Sequence, residues 1–148
     1  MQILESKKIG ERAYIEELES GLKIVVIPKK NFNKKHAIVG IKFGSIDNCF
    51  INPKNNKKIT IPDGVAHFLE HKMFEQKNGT NSLDTLTALG VNANAYTTDT
   101  HTAYLIECTD NFDEAYKELL DYVQNPYFTR ENVNKEKGII CQEIRMYE

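Results

Sequence analysis

The run His67-Phe68-Leu69-Glu70-His71 places two histidines four residues apart with a glutamate between them. On a helix, side chains four apart share a face with Cβ atoms about 5–6 Å apart, which suits two imidazoles to a single metal ion. Glu70 follows His67 by three positions and lies on the same side. Its carboxylate can reach a water on that metal without ligating it, and can accept the water's proton. A catalytic zinc takes three protein ligands and keeps a fourth position open for water, so a third ligand is needed. Glu136 and Glu143 are seven residues apart, nearly superposed two turns apart on one helical face, and either carboxylate could complete the set. Cys141 is the rival. It sits two residues before Glu143, roughly opposite on a helical wheel, so the two cannot point at one ion together.

These residues need elements to carry them. Asp63, following Pro62, is expected to cap a helix through Val65, Ala66, Phe68, Leu69 and Met73, whose apolar positions cover much of its circumference and imply burial on several sides. Thr129 is expected to open a last helix through Val133, Ile139, Ile140, Ile144 and Tyr147, with the pattern still helical at the final residue. Between them, Asn81 caps a short helix through Leu83, Leu86 and Leu89, closed by Gly90. Residues 91–98 and 102–108 then read as strands, the first a candidate edge. Asp110 is expected to cap a helix carrying Phe112, Ala115, Leu119, Tyr122 and Val123, which Asn125-Pro126 stops. Upstream, residues 13–18 and 22–27 flank Glu19-Ser20-Gly21 as a hairpin. Residues 36–43 form a strand with Ala37, Val39, Ile41 and Phe43 on one apolar face, and the lysine- and asparagine-rich stretch 52–59 reads as a mobile surface loop. The sum is an α+β unit, a largely antiparallel sheet packed with helices.

A length of 148 residues favours one compact domain with a sizeable core. The 19 basic and 21 acidic side chains nearly cancel, and only Arg12, Arg130 and Arg145 offer guanidinium forks, so a nucleic-acid partner is not expected. The longest apolar stretches, 24–27 and 37–41, fall far short of the roughly 20 residues of a membrane span. The opening MQILESKKIGER has early charges and no apolar run, so neither a signal nor an anchor is expected, and the cytoplasm is the default compartment. Cys49, Cys108 and Cys141 show no paired spacing and are expected to be reduced, with Cys108 and Cys141 acting as small packed hydrophobes. His36 and His101 read as strand-end or surface histidines, and Tyr96 and Tyr104 as sheet packing.

Taken together, the motifs resemble the inverzincin metallopeptidases of the pitrilysin, insulinase and mitochondrial-processing-peptidase group, most of all its small bacterial members. The resemblance rests on Leu18-Glu19-Ser20-Gly21-Leu22-Lys23-Ile24-Val25, on Gly64-Val65-Ala66-His67-Phe68-Leu69-Glu70-His71-Lys72-Met73-Phe74, on Asn92-Ala93-Asn94-Ala95-Tyr96-Thr97, and on Glu136-Lys137-Gly138-Ile139-Ile140-Cys141-Gln142-Glu143-Ile144. The histidine–glutamate order is the inverted form of the zincin motif. The resemblance implies a fold like that of LuxS and the pitrilysin-type metallohydrolases, with one Zn2+ per chain held by His67, His71 and Glu143. It implies Glu70 as general base, Glu136 as a supporting acidic residue of the catalytic site, and Asn92, Ala93, Asn94 and Ala95 as part of an edge strand that pairs with an extended peptide. The implied activity is zinc-dependent endopeptidase action on peptides or unfolded proteins, by a homodimer or a heterodimer with a related subunit. Because family members join at least two related α/β domains around a chamber, residues 1–148 are expected to be the first, incomplete part of the catalytic domain, with substrate-holding groups supplied from elsewhere. Two other readings stand beside this one. A LuxS-like thioether hydrolase would use a downstream cysteine as third ligand, and a metal- or peptide-binding subunit would have no catalysis of its own.

Overall fold

The computed structural model describes residues 1–146, so Tyr147 lies outside the described residues. In chain order the elements are β1 (Gln2–Ser6), β2 (Glu11–Glu17), β3 (Lys23–Val26), β4 (Lys35–Ile41), β5 (Cys49–Ile51), β6 (Lys58–Thr60), α1 (Val65–Lys72), α2 (Ser82–Ala88), β7 (Asn92–Thr97), β8 (Thr102–Cys108), α3 (Phe112–Gln124) and α4 (Arg130–Met146). They fall into two compact units, Met1–Asn33 and Lys34–Glu148.

The first unit is an antiparallel sheet in the order β1-β2-β3. The β2–β3 hairpin follows from its turn: Gly21 adopts φ +84°, a left-handed conformation that costs glycine nothing, and the Gly21 N–H donates to the Leu18 carbonyl at 2.8 Å. Strand β1 was not among the expected elements. All five of its residues are exposed, so there was no one-sided burial pattern to read.

The second unit is built on the antiparallel sheet β4-β8-β7, with β8 in the middle. Alternation along the strands puts Val39, Tyr104 and Ala95 in one cross-strand row and Ala37, Ile106 and Ala93 in the next. That face carries the core, in which Tyr104 and Ile106 meet Leu86 of α2, Ala115, Leu119 and Tyr122 of α3, and Met73 and Phe74 after α1. The rings of Phe74, Tyr104 and Tyr122 pack with centroids 5.1 to 5.8 Å apart. The antiparallel sheet with four helices is the α+β architecture expected.

Several local expectations are corrected. Asp63 does not cap α1: the helix starts from Gly64 in a left-handed conformation, while the Asp63 carboxylate accepts a hydrogen bond from Asn48 at 3.0 Å. Asp110 does not cap α3 either, because Asn111 occupies the cap position with φ +57°, and Asp110 accepts from the Thr109 hydroxyl. By contrast, the Asn81 side chain accepts from the Leu83 N–H at 2.8 Å, as its position before α2 suggested. The stretch 52–59 is no plain loop, since β5 and β6 pair across it, and the Asn52 and Asn55 side chains close turns onto the N–H groups of Lys54 and Lys57. Cys108 is buried but Cys141 is exposed, and Tyr96 lies on the exposed face of β7 with its ring edge against His101.

After β4 the chain is clasped to the β7–β8 turn. The Ser45 and Ile46 N–H groups donate to the Thr98 and Asp99 carbonyls at 2.9 and 3.1 Å, and a Cβ built on Gly44 would stand 2.4 Å from the Asp99 carbonyl oxygen. Backbone cannot yield there as a flexible side chain would. Gly44→Ala should therefore cost about 1–3 kcal/mol of stability, read as a lower denaturant midpoint; an unchanged midpoint would mean the clasp relaxes freely. The core gives a second expectation. Burial raises the phenol pKa of both Tyr104 and Tyr122 above the ordinary 10.0, with the Glu70 charge adding to the rise at Tyr104. Below that value both folded and unfolded states hold the protons; above it the unfolded chain releases them first, so stability falls as pH climbs past 10.0. In an alkaline titration followed by tyrosinate absorbance, these two of the seven tyrosines should ionise only as the protein unfolds.

Candidate metal centre

Helix α1 has no exposed residue from Val65 to Lys72, in keeping with apolar positions spread around its circumference. Ala66 is buried, and Met73 and Phe74 just past its end join the core. Lys72 is fully buried and its ammonium pairs with Glu75 one turn on. The remaining surface of α1 faces α4 and β7.

Helix α4 begins with a reciprocal cap. The Asn132 N–H donates to the Thr129 hydroxyl at 3.1 Å, and the Thr129 N–H donates to the Asn132 side-chain oxygen at 2.9 Å, with Asn132 filling the role glutamate takes in the usual capping box. From there Val133, Glu136, Ile140 and Glu143 form a partly buried stripe at helical spacing, whereas Ile139, Cys141 and Ile144 are exposed. The stripe brings the two carboxylates to the histidines of α1.

The Nε2 atoms of His67 and His71 approach to 3.1 Å. Glu143 straddles them, with one oxygen 3.8 Å from His67 Nε2 and the other 3.6 Å from His71 Nε2. Ligand atoms in a tetrahedral zinc site stand about 3.3 Å apart, given bond lengths near 2.0–2.1 Å, so this donor set fits a zinc-sized ion. Among the described residues, His67, His71 and Glu143 are the group whose ligand atoms all lie within 4.8 Å of one another. Glu136 is 2.9 Å from the Nδ1 atom of His71. A carboxylate only accepts, so His71 donates from Nδ1, which in the neutral ring leaves the Nε2 lone pair for a metal. Cys141 is not in the cluster, and neither are His36 and His101; His101 instead contacts the hydroxyl of Thr98 through Nδ1 at 2.9 Å.

Glu70 turns to the other neighbour. It is 8% exposed, and the Thr97 hydroxyl at the end of β7 donates to its Oε2 at 2.6 Å. Among the described residues strand β7 pairs with β8 alone and is an edge of its sheet, so Asn92, Ala93, Asn94 and Ala95 lie along a strand with one side left unpaired by those residues. Asn92 and Asn94 project on its exposed face, Ala93 and Ala95 toward the helices. Sequence reasoning took Thr97 only as part of this strand. The signal was there: alternation places Thr97 on the face of Ala93 and Ala95, and a hydroxyl on a helix-covered face needs a partner.

The family described as Insulinase (Peptidase family M16) matches residues 28–148. The "uncharacterized zinc protease YmfH" of Bacillus subtilis is 47% identical over 145 residues, covering 98% of this chain and 34% of YmfH. The beta subunit of the mitochondrial-processing peptidase of Rattus norvegicus is 28% identical over 135 residues, covering 88% of this chain and 25% of that protein. An M16-like peptidase from Alicyclobacillus acidocaldarius superposes with a TM-score of 0.86 at 38% identity, over 97% of this chain and 32% of that one. The chain thus spans about a third of the length of these two bacterial relatives. No helix among the described residues is long and apolar enough to cross a membrane. With most of its residues matched and its fold shared, the chain belongs to the insulinase family of peptidases.

Proposed function

We propose that these residues form the first part of the catalytic domain of a zinc-dependent endopeptidase that acts on peptides or unfolded proteins in the cytoplasm. The observation that carries this reading is the convergence of two imidazole nitrogens and a straddling carboxylate, with His71 held in the ligating tautomer by Glu136. The kinship with proteins named zinc proteases supports the choice of metal.

His67, His71 and Glu143 would hold one zinc ion, and Glu136 would orient His71. A bound zinc ion supplies Lewis acidity, making water more acidic and polarising a peptide carbonyl. Glu70, buried beside the histidines but outside the ligand group, accepts the proton from the attacking water and delivers it to the departing amine. Asn92, Ala93, Asn94 and Ala95 on the edge strand offer unpaired main-chain groups to an extended substrate, which would then be read by its main chain more than by its side chains. Pairing with a related subunit, as the name of the rat relative suggests for that protein, would supply further groups to the substrate. The LuxS-like alternative requires a cysteine ligand, and the exposure of Cys141 outside the cluster argues against it.

The test is a pair of measurements on the intact protein. Glu70→Gln should keep one zinc per chain, by elemental analysis, and lose about 10²–10⁴-fold in turnover of an extended peptide. Glu143→Ala should lose the zinc itself. Normal cleavage by Glu70→Gln, or full zinc in Glu143→Ala, would sink the assignment. Glu136→Ala should weaken zinc binding by about 10–100-fold in a chelator competition, the range for partners that orient a ligating histidine; unaltered affinity would leave Glu136 a mere surface acid.

A further inference from the structure

Among the described residues, the side-chain partner of Glu70 comes from neither helix of the centre but from Thr97, the last residue of β7. The 2.6 Å separation from Thr97 Oγ1 to Glu70 Oε2 is in the range of a charge-assisted bond to a carboxylate. A threonine hydroxyl has one proton, and a carboxylate can only accept, so that proton is committed to Glu70. Thr102 supports the arrangement from behind. Its hydroxyl lies 3.3 Å from Thr97 Oγ1 and 2.9 Å from the Phe43 carbonyl oxygen, and donating to either leaves Thr97 aimed at Glu70.

The last torsion of a glutamate is broad and nearly two-fold, so a carboxylate without a fixed partner samples many orientations. Thr97 pins one oxygen and leaves the other to exchange protons. The same residue ends the edge strand along which a peptide would lie, so one side chain ties the base to the strand that would set substrate register. We infer that Thr97 is a positioning residue, whose hydroxyl fixes the Glu70 carboxylate in register with a peptide added along β7. This rests on the peptidase reading given above.

The experiment compares the intact zinc-loaded protein with its Thr97→Val, Thr97→Ala and Thr97→Ser variants. Valine keeps the β-branched shape suited to a strand and removes the hydroxyl, alanine checks the result without the extra methyl, and serine keeps the donor. A small misplacement of a catalytic group can cost about 10²-fold, so kcat should fall about 10–100-fold in Thr97→Val and Thr97→Ala, and recover to within about threefold in Thr97→Ser. KM should stay within about twofold, because the lost bond positions the base and does not hold substrate. Two readouts do not depend on turnover. Zinc per chain should be unchanged in all three variants. In a Glu70→Gln background, which does not cleave, calorimetric affinity for an extended peptide should be the same with and without Thr97→Val. Wild-type kcat in Thr97→Val, zinc loss, weaker peptide binding in the silenced pair, or a Thr97→Ser defect as deep as that of valine would each overturn the inference. If Glu70→Gln itself turned over normally, the peptidase reading would fall first; if Glu70→Gln were dead and Thr97→Val fully active, only the role of Thr97 would fall.

Discussion

Two carboxylates and two imidazoles crowd the seam between α1 and α4, Glu70 lies on the β7 side of α1, and among the described residues none of the three carboxylates has a lysine or arginine partner. Glu70 is 8% exposed as a residue, and the side chains of Glu136 and Glu143 are 12% and 28% exposed. Negative charge held at such depth is costly unless something positive or a donor answers it. Glu136 is answered by the Nδ1–H of His71 and Glu70 by the hydroxyl of Thr97. Among the described residues Glu143 meets the two Nε2 atoms, one of which in the neutral ring would carry a lone pair because that ring donates from its other nitrogen. A divalent cation at that point would turn mutual repulsion into shared attraction. On the proposed zinc reading, docking of α4 on α1 and binding of the metal would be one constraint, and the ion would favour the closed pair of helices over any opened form.

The rest of the second unit serves to hold α1 where this can happen. A helix with no exposed residue cannot be set by one contact surface. It meets α4 through His71 and β7 through Glu70, Ala66 is buried, and Met73 and Phe74 anchor the chain in the core as it leaves. Strand β8 supplies the fixed layer beneath, with Tyr104 and Ile106 at the centre of their rows. The clasp at Gly44 then matters beyond its own turn. It fixes the carbonyls of Thr98 and Asp99, the residues that follow Thr97, and so limits how far the end of β7 can drift from Glu70.

What could be read in the chain was what depends on short range. The histidine pair and Glu70 declare a shared face through spacing alone, and Asn81 caps α2 through a bond spanning two residues. Strand alternation through Ala37 and Val39 reported the buried side of β4, although Ile41 lies exposed near the strand's end. The failures have equally specific causes. Asp63 and Asp110 have the right chemistry for caps, but Gly64 and Asn111 take left-handed backbone that starts each helix one residue later, and Asn48 and Thr109 occupy the aspartates. Strand β1 and the β5–β6 pair carry too little one-sided burial for periodicity to register. Cys141 looked like packing because helical position alone does not say which faces acquire a neighbour. Whether Glu136 or Glu143 would meet the imidazoles was open for the same reason. Spacing put both on one face, and only the crossing of α4 over α1 sets one against Nδ1 and the other between the Nε2 atoms.

That crossing also shows why a five-residue motif carries so little on its own. An eight-residue helix can present His67, Glu70 and His71 for the cost of one sequence pattern, but each of the three then needs a partner that the helix cannot supply to itself. The tautomer of His71 is set from 65 residues away, and the orientation of Glu70 from 27 residues away, by elements of different kinds. Drawing one partner from a helix and the other from an edge strand gives the two side chains separate supports: disturbing α4 reaches His71 first, and disturbing β7 reaches Glu70 first. Were β7 to take an added peptide as proposed, that peptide would press on Glu70 through Thr97 before it reached His67, His71 or Glu143.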